Sequence, residues 1–136
     1  MSARPRRPRP RPQIPSEHAA QAQVVAHVRY FHPDVLIAAV PNGARLVGGV
    51  RAGAKLKAEG MLPGYPDLLV DEARGGWFGL RVEMKRERGG RVGKAQREVG
   101  RRLEAAGYRW VVCAGAREAV RVIEEYLALE RTGGGG

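Results

Sequence analysis

The chain has 136 residues and carries 24 Lys and Arg against 14 Asp and Glu, and the resulting net charge of +10 indicates a polyanionic partner such as nucleic acid. The length favours a single domain, and no stretch approaches the roughly eighteen uninterrupted apolar residues of a membrane span. One cysteine and three histidines exclude an internal disulfide and argue against a zinc site. We therefore expect a cytoplasmic protein with no membrane partner and no zinc.

The two ends of the chain differ in composition from its middle. Residues 1–15 are rich in Arg and Pro, which are the only residue types from 4 to 12, and this composition predicts a disordered, polyproline-like arm. The arm could add sequence-independent phosphate contacts, or it could be an inert terminus shaped by biased codons, and the sequence leaves both open. Residues 16–130 are then one predicted domain, and residues 131–136 are a Gly-rich end that we also expect to be disordered.

A helix is predicted to begin after Ser16, a typical N-cap residue, and to run to about Phe31. Val24 and Val28 share one stripe of this helix with Glu17, which lies at the end that would overhang a sheet. Glu17 could be an ordinary first-turn acid that interacts with the helix dipole, or it could belong to a site beyond the sheet edge.

A short strand is predicted over residues 35–40, and the turn-forming residues 41–43 end it. The segment 44–53 that follows is rich in glycine and contains Arg45 and Arg51. We expect a flexible basic segment here. It could follow a phosphate backbone, or it could be an ordinary surface loop with solvated charges.

Further basic residues come after this loop. Residues 52–59 form a predicted helix that Gly60 closes, and residues 86–91 form a charged turn. The polar and basic side chains that we expect to contact nucleic acid are Asn42, Arg45, Arg51, Lys55, Lys57, Arg86, Arg88 and Arg91.

A β-hairpin is predicted at the centre of the chain. Residues 68–70 and 77–85 are β-prone runs, and the Gly-containing segment 71–76 is the turn between them. Pro66 has no N–H for strand pairing and suits the start of a strand. Asp67 then lies at the first pleat, where its side chain can lean over the sheet edge.

Alternation along the second strand separates two pairs of side chains. Val82 and Met84 point to one face, so Glu83 and Lys85 point together to the other, within reach of Asp67 if the strands pair. Two carboxylates this close raise each other's pKa, and a divalent cation such as Mg²⁺ or Mn²⁺ would relieve the repulsion. The carbonyl of Met84, which lies between Glu83 and Lys85 in the sequence, is a further candidate ligand for the cation. Alternatively, Asp67 caps a turn, and Glu83 and Lys85 are solvent-exposed charges along one face of an amphipathic strand.

The remaining elements complete an α/β fold. Residues 93–106 form a predicted helix with Gln96 among its apolar positions, and residues 108–113 form a buried-looking strand. Residues 116–129 form the last helix. The order is helix, three strands with a small helix after the first, helix, strand and helix, which predicts a mixed sheet flanked by helices.

The central motifs carry a resemblance to a known family. Pro66-Asp67 followed by Glu83-Met84-Lys85 resembles the PD-(D/E)XK nuclease signature. Pro41-Asn42-Gly43, Leu56 to Gly60, Gly64-Tyr65 and Gln96 around it make residues 17–123 similar to the VRR-NUC domain, the virus-type replication-repair nuclease domain. The resemblance implies a restriction-endonuclease-like αβββαβ core, with Glu17 as another carboxylate near the metal and Gln96 beside Lys85. It also implies a homodimer.

We therefore expect a Mg²⁺- or Mn²⁺-dependent endonuclease, in a bacterial or phage-infected cell, that cuts structured or branched DNA in replication, repair or recombination. The catalytic residues would be Asp67, Glu83, Lys85, Gln96 and Glu17, and the metal ligands would be Asp67, Glu83, Met84 and Glu17. The rival is a basic nucleic-acid-binding module without catalysis, and a third possibility is an assembly protein of a phage-like replication complex. Candidate dimer contacts are the apolar residues of the last helix and of residues 46–50.

Overall fold

The computed structural model describes residues 13, 15–41 and 49–133, and these ranges contain four helices and four strands. In chain order they are α1 (Glu17–Phe31), β1 (Ile37–Ala39), α2 (Gly49–Ala58), β2 (Leu68–Val70), β3 (Leu80–Lys85), α3 (Lys94–Ala105), β4 (Arg109–Ala114) and α4 (Ala116–Leu127).

The strands form one mixed sheet in the order β1-β2-β3-β4. β1 and β2 are antiparallel, as are β2 and β3, with Leu68 opposite Val82. β3 and β4 are parallel, with Met84 opposite Cys113, and α3 is the crossover that parallel neighbours require. The predicted α/β fold with a mixed sheet flanked by helices is confirmed.

The core lies between the sheet and the helix pair α1 and α4. Val24 and Val28 of α1 and Ile123 of α4 are fully buried against Val82 and Met84 of β3. Each such side chain contributes about 1.5–3 kcal/mol through burial of apolar surface. Because Val82 and Met84 face this core, the alternate side chains of β3 face the opposite side of the sheet.

The first helix begins and ends where the sequence predicts. The Ser16 hydroxyl oxygen accepts a hydrogen bond of 3.1 Å from the Ala19 N–H, which satisfies one backbone donor of the first turn. The helix ends at Phe31, and His32 is its C-cap immediately before Pro33.

Both predicted strands that flank β2 are shorter than expected. β1 has three residues, and Leu36 before it is 71% exposed. β3 begins at Leu80 instead of Trp77, because the Trp77 N–H bonds to the Arg74 carbonyl and the Phe78 N–H bonds to the Gly107 carbonyl. The Phe78 bond lies on the β4 side and the Trp77 donor is used inside the turn, so the pairing of β3 with β2 begins only at Leu80.

The basic loop prediction is wrong for its second half. α2 begins at Gly49, so Arg51 is an exposed helical residue and not part of a flexible segment. Asn42, Arg45 and the rest of residues 42–48 lie outside the described residues, as does the arm apart from Gln13 and Pro15.

The last strand and helix also differ from expectation. β4 is an edge strand, so Cys113 is its one fully buried residue and the strand is not buried along its length. Ile123 and Leu127 of α4 pack into the core. These two residues are therefore buried within the chain, whereas Val120 and Val122 are only partly buried, and a dimer contact through this helix stays a prediction.

Across the part of the chain that the structure describes, each helix is too short or too polar to cross a lipid bilayer.

Candidate active site

The face of β3 that points away from the core carries three charged side chains. Arg81, Glu83 and Lys85 alternate with Leu80, Val82 and Met84, and the latter three are at most 1% exposed in the core. Glu83 is itself buried, with 3% of its surface exposed. The alternation predicted from the sequence therefore brings Glu83 and Lys85 to one face.

Asp67 joins them from the residue just before β2. Its carbonyl accepts a hydrogen bond of 2.8 Å from the Val40 N–H, which holds its backbone beside β1. Its carboxylate oxygen Oδ2 accepts a bond of 2.7 Å from the Met84 N–H. Because the N–H and C=O of a strand residue point to the same side, the Met84 carbonyl also lies on the Asp67 side of β3.

Lys85 and Gln96 contact the same oxygen of Glu83. The Lys85 ammonium lies 3.7 Å from Glu83 Oε1, and the Gln96 side-chain N–H donates a bond of 2.9 Å to that atom. Gln96 lies in the first turn of α3, and its own carbonyl oxygen accepts a bond of 2.8 Å from the Gly93 N–H. Gly93 offers no side chain in return, and the Gln96 side chain makes the hydrogen bond that links the start of α3 to Glu83.

Burial and mutual repulsion alter the acidity of the two carboxyl groups. Burial, and secondly the Asp67 charge, raise the pKa of Glu83 to about 8, although Lys85 opposes the shift. Burial also raises the pKa of Asp67, against the hydrogen bond from the Met84 N–H that lowers it. Without a cation, the site therefore retains a proton near neutral pH.

Glu17 reaches the same cleft from the N-terminus of α1. It lines the cleft with Asp67 and Glu83, and its negative charge contributes to the raised pKa of both. Glu17 itself is exposed to solvent. The overhang of α1 beyond the sheet is thus the feature that brings a third carboxylate into the cleft.

The chemistry of the cleft fits a hard divalent cation. The second oxygen of Glu83, Oε2, is buried and receives no hydrogen bond from a donor group; the neighbouring Asp67 carboxyl group can share a proton with Glu83, but not once both acids are ionised. A buried carboxylate oxygen without a donor is costly. Within the described ranges, no three acidic, histidine or cysteine side chains are close enough to hold a metal by themselves. Mg²⁺ and Mn²⁺ tolerate this arrangement, since they commonly take one or two carboxylates and complete their shell with carbonyls, water and phosphate.

The cleft has a volume of about 510 Å³ and is roofed by α2 and the loop before β2. All five predicted catalytic side chains line it, and of the predicted nucleic-acid contacts Lys57 does so. The others within the described ranges are exposed but lie outside its lining, namely Arg51, Lys55, Arg86, Arg88 and Arg91. Lys55 pairs loosely with Glu59 at 4.0 Å.

Sequence reasoning assigned no separate role to three residues around the cleft. Tyr65 lines it, and the Arg81 guanidinium donates to the Tyr65 hydroxyl at 3.4 Å and to Asp71 at 3.1 Å. Gly64 has a φ of +85°, and a Cβ there would lie 2.6 Å from the Ala95 carbonyl carbon in α3. The i, i+2 spacing of Arg81 from Glu83 was the available signal for the arginine, whereas nothing local indicates the approach of Gly64 to α3.

One solved structure shares this architecture along nearly its whole length. It is described as a VRR_NUC domain protein and is 31% identical to this chain, with a TM-score of 0.72. The similarity covers 85% of this chain and 90% of that one. No family model matches the chain, and no curated protein matches it either.

Proposed function

The chain belongs to the VRR-NUC family, a nuclease-type domain, and on that premise we propose that it is a Mg²⁺- or Mn²⁺-dependent endonuclease that hydrolyses DNA phosphodiester bonds. We further propose that its substrate is structured or branched DNA in replication, repair or recombination. The observation that carries the proposal is the buried Glu83 carboxylate, which has one oxygen without a hydrogen-bond donor and meets Asp67, Lys85 and Gln96.

Asp67, Glu83 and Glu17 would hold the cation, together with the Met84 carbonyl. A bound divalent cation supplies Lewis-acid activation of water and neutralises phosphate charge. Lys85 has a side chain that is only 13% exposed, so its ammonium acts in a medium of lower polarity than bulk water. There it stabilises the negative charge that develops on the phosphate or orients the attacking water.

Gln96 keeps the Glu83 carboxylate in a fixed orientation. Its side-chain carbonyl is already bonded to the Gly93 N–H, so the amide N–H remains directed at Glu83. Lys57 of α2 also lines the cleft. A phosphate backbone in the cleft would therefore meet two lysines, Lys85 and Lys57.

Cleavage of labelled linear, nicked, flapped and four-way-junction DNAs with Mg²⁺, Mn²⁺ or EDTA tests the proposal. Cleavage should require the metal, and Glu83→Ala should lower the rate at least about a hundredfold. Glu87→Ala is the matched control, because Glu87 is an exposed acid in the turn after β3. Metal-dependent cleavage that survives in Glu83→Ala, or no cleavage of any DNA, would refute the assignment and favour a non-catalytic binding module.

We also propose that the protein works as a homodimer. One site of this kind cuts one strand, so two cuts on strands of opposite polarity require two copies related by a two-fold axis. Light scattering at micromolar concentration, alone and with a four-way junction, should report twice the mass of the chain. A monomer under both conditions would contradict this and indicate a nicking or flap-trimming enzyme.

A further inference from the structure

A second pocket lies directly beside the catalytic cleft, between α3 and the loop that precedes β2. It has a volume of about 220 Å³ and is lined by Leu62, Tyr65, Val99, Arg102 and Leu103. Its walls are apolar or aromatic apart from Arg102, and it contains no acid. None of the proposed catalytic residues lines it.

Tyr65 is the wall that this pocket shares with the catalytic cleft. Its hydroxyl contacts Arg81, which is only 6% exposed and is itself held by Asp71 and by the ring of Tyr108, 4.5 Å from the guanidinium. The phenol ring is therefore supported from the sheet. A group bound in the pocket would lie one side chain away from the cleft that holds Asp67 and Glu83.

Leu62 and Arg102 form the open side of the pocket. Leu62 is 47% exposed, although a leucine of a loop normally gains about 1.5–3 kcal/mol when it is fully buried. Arg102 is exposed on α3, whose outer surface also carries Arg97 and Arg101. A flat, apolar ligand attached to a negatively charged chain would satisfy both features, because its face would cover Leu62 while its charge meets Arg102.

A nucleobase on a phosphate backbone has this chemistry. Bases stack on tyrosine rings irrespective of sequence, and cations beside the ring follow the backbone. Resting on the proposed nuclease function, we propose that this pocket binds one unpaired nucleobase of the strand whose phosphate occupies the catalytic cleft. A base inside an intact duplex is covered by its neighbours and cannot enter. The pocket therefore selects DNA with an unpaired nucleotide beside the cleavage position.

An abasic scan in EDTA tests the pocket without reference to cleavage. A flapped DNA, whose junction fixes the register of the protein, is prepared with one abasic nucleotide moved through each position of its single-stranded arm, and the affinity of the full chain is measured for each. The pocket predicts that the wild-type protein loses about tenfold in affinity at one or two adjacent positions and little elsewhere. In a cleavage assay, a duplex with one unpaired nucleotide should be cut faster than its fully paired counterpart.

Substitutions of residues that line the pocket test whether the dependence on the abasic position arises there. Leu103→Phe fills the pocket and should abolish the position dependence, and Leu62→Gln, at a more exposed position, should weaken it if Leu103→Phe disturbs the fold. Leu129→Phe is the matched control, because Leu129 lines a pocket of about 230 Å³ that is also largely apolar but does not adjoin the cleft. The control should retain the wild-type profile.

A flat scan from a protein that binds and cuts DNA would overturn the base pocket and leave the nuclease proposal intact. Retention of the position dependence in both Leu103→Phe and Leu62→Gln would also overturn it. A positive scan from a protein that cuts no DNA with either metal would support the pocket while refuting the nuclease proposal.

Discussion

Gln96 Nε2 lies 2.9 Å from Glu83 Oε1, so the first turn of α3 is tied to the centre of β3. Gly64 allows the start of α3 to lie this close to the loop before β2, because a Cβ at this position would lie 2.6 Å from the Ala95 carbonyl carbon. A shift of the loop before β2 would therefore move the start of α3 and with it the Gln96 side chain that contacts Glu83.

Gly64→Ala should therefore lower the rate of cleavage more than about tenfold. The new Cβ would lie 2.8 Å from the Gln96 backbone nitrogen, and the first turn of α3 must move to accommodate it. Gly60→Ala is the control, since Gly60 also has a positive φ, of +112°, but a Cβ there meets nothing within 4 Å. Both variants carry the backbone strain of a positive φ, about 1–3 kcal/mol, and Gly64→Ala adds the clash, so its unfolding temperature should fall further. At a temperature where both variants are fully folded, activity should fall in Gly64→Ala alone. Equal loss of activity in the two variants would contradict the positioning role.

The raised pKa of Glu83 predicts how stability depends on pH. Between about pH 4.5 and about pH 8 the unfolded chain ionises Glu83 while the metal-free fold keeps it protonated, so the unfolding free energy should fall as pH rises. A glutamine side chain cannot ionise, so in Glu83→Gln the unfolding free energy should fall by at least about 1 kcal/mol less over this pH range than it does in the wild type. Urea unfolding in EDTA measures the difference.

Mn²⁺ should stabilise the wild-type protein more at about pH 8 than at about pH 6, because a ligand carboxylate must lose its proton. Thermal unfolding with and without Mn²⁺ at each pH measures this difference. Equal stabilisation at both pH values would show that Glu83 is already ionised in the metal-free fold.

Two histidines at the C-terminal end of α1 form hydrogen bonds with one carboxylate of α4. His27 Nε2 and His32 Nε2 each lie 2.8 Å from Glu124 Oε1, which joins the end of α1 to α4. The bond from His27, together with that from His32, lowers the pKa of Glu124. A lowered carboxyl pKa stabilises the fold above the unfolded pKa, and this contribution is lost as pH falls through the folded value.

Glu124→Gln should cost about 1 kcal/mol of unfolding free energy at neutral pH, a difference from wild type that narrows as pH falls through the lowered pKa of Glu124. Glu125→Gln is the control, because Glu125 is exposed and pairs with Arg121 on the surface of the same helix. DNA cleavage should be unchanged in both. An equal cost at acid pH would indicate lost packing instead of a lost ionic contact.

Removal of residues 1–12 tests the basic arm. The segment carries five arginines, so its deletion should flatten the slope of log affinity against log salt by up to about four units and weaken binding to all sequences alike. Replacement of the five arginines by glutamine keeps the length and should give the same result. An unchanged slope would make the arm an inert terminus.

The sequence by itself determined the fold class and the centre of the site. Alternation along residues 82–85 separates two core side chains from Glu83 and Lys85, and the N-cap at Ser16 begins α1, because both signals depend on neighbours within a few residues. The VRR-NUC resemblance, confirmed as a family relationship, supplied Glu17 and Gln96 as candidates.

Only the tertiary structure decided how distant segments meet. The Asp67 bond to the Met84 N–H depends on the register of β2 against β3, and the Gln96 bond to Glu83 depends on how closely α3 approaches the sheet. The pocket behind Tyr65 is formed by a loop and a helix that are more than thirty residues apart in sequence. Docking of this kind is set by packing between whole elements, and local residue patterns carry no information about it.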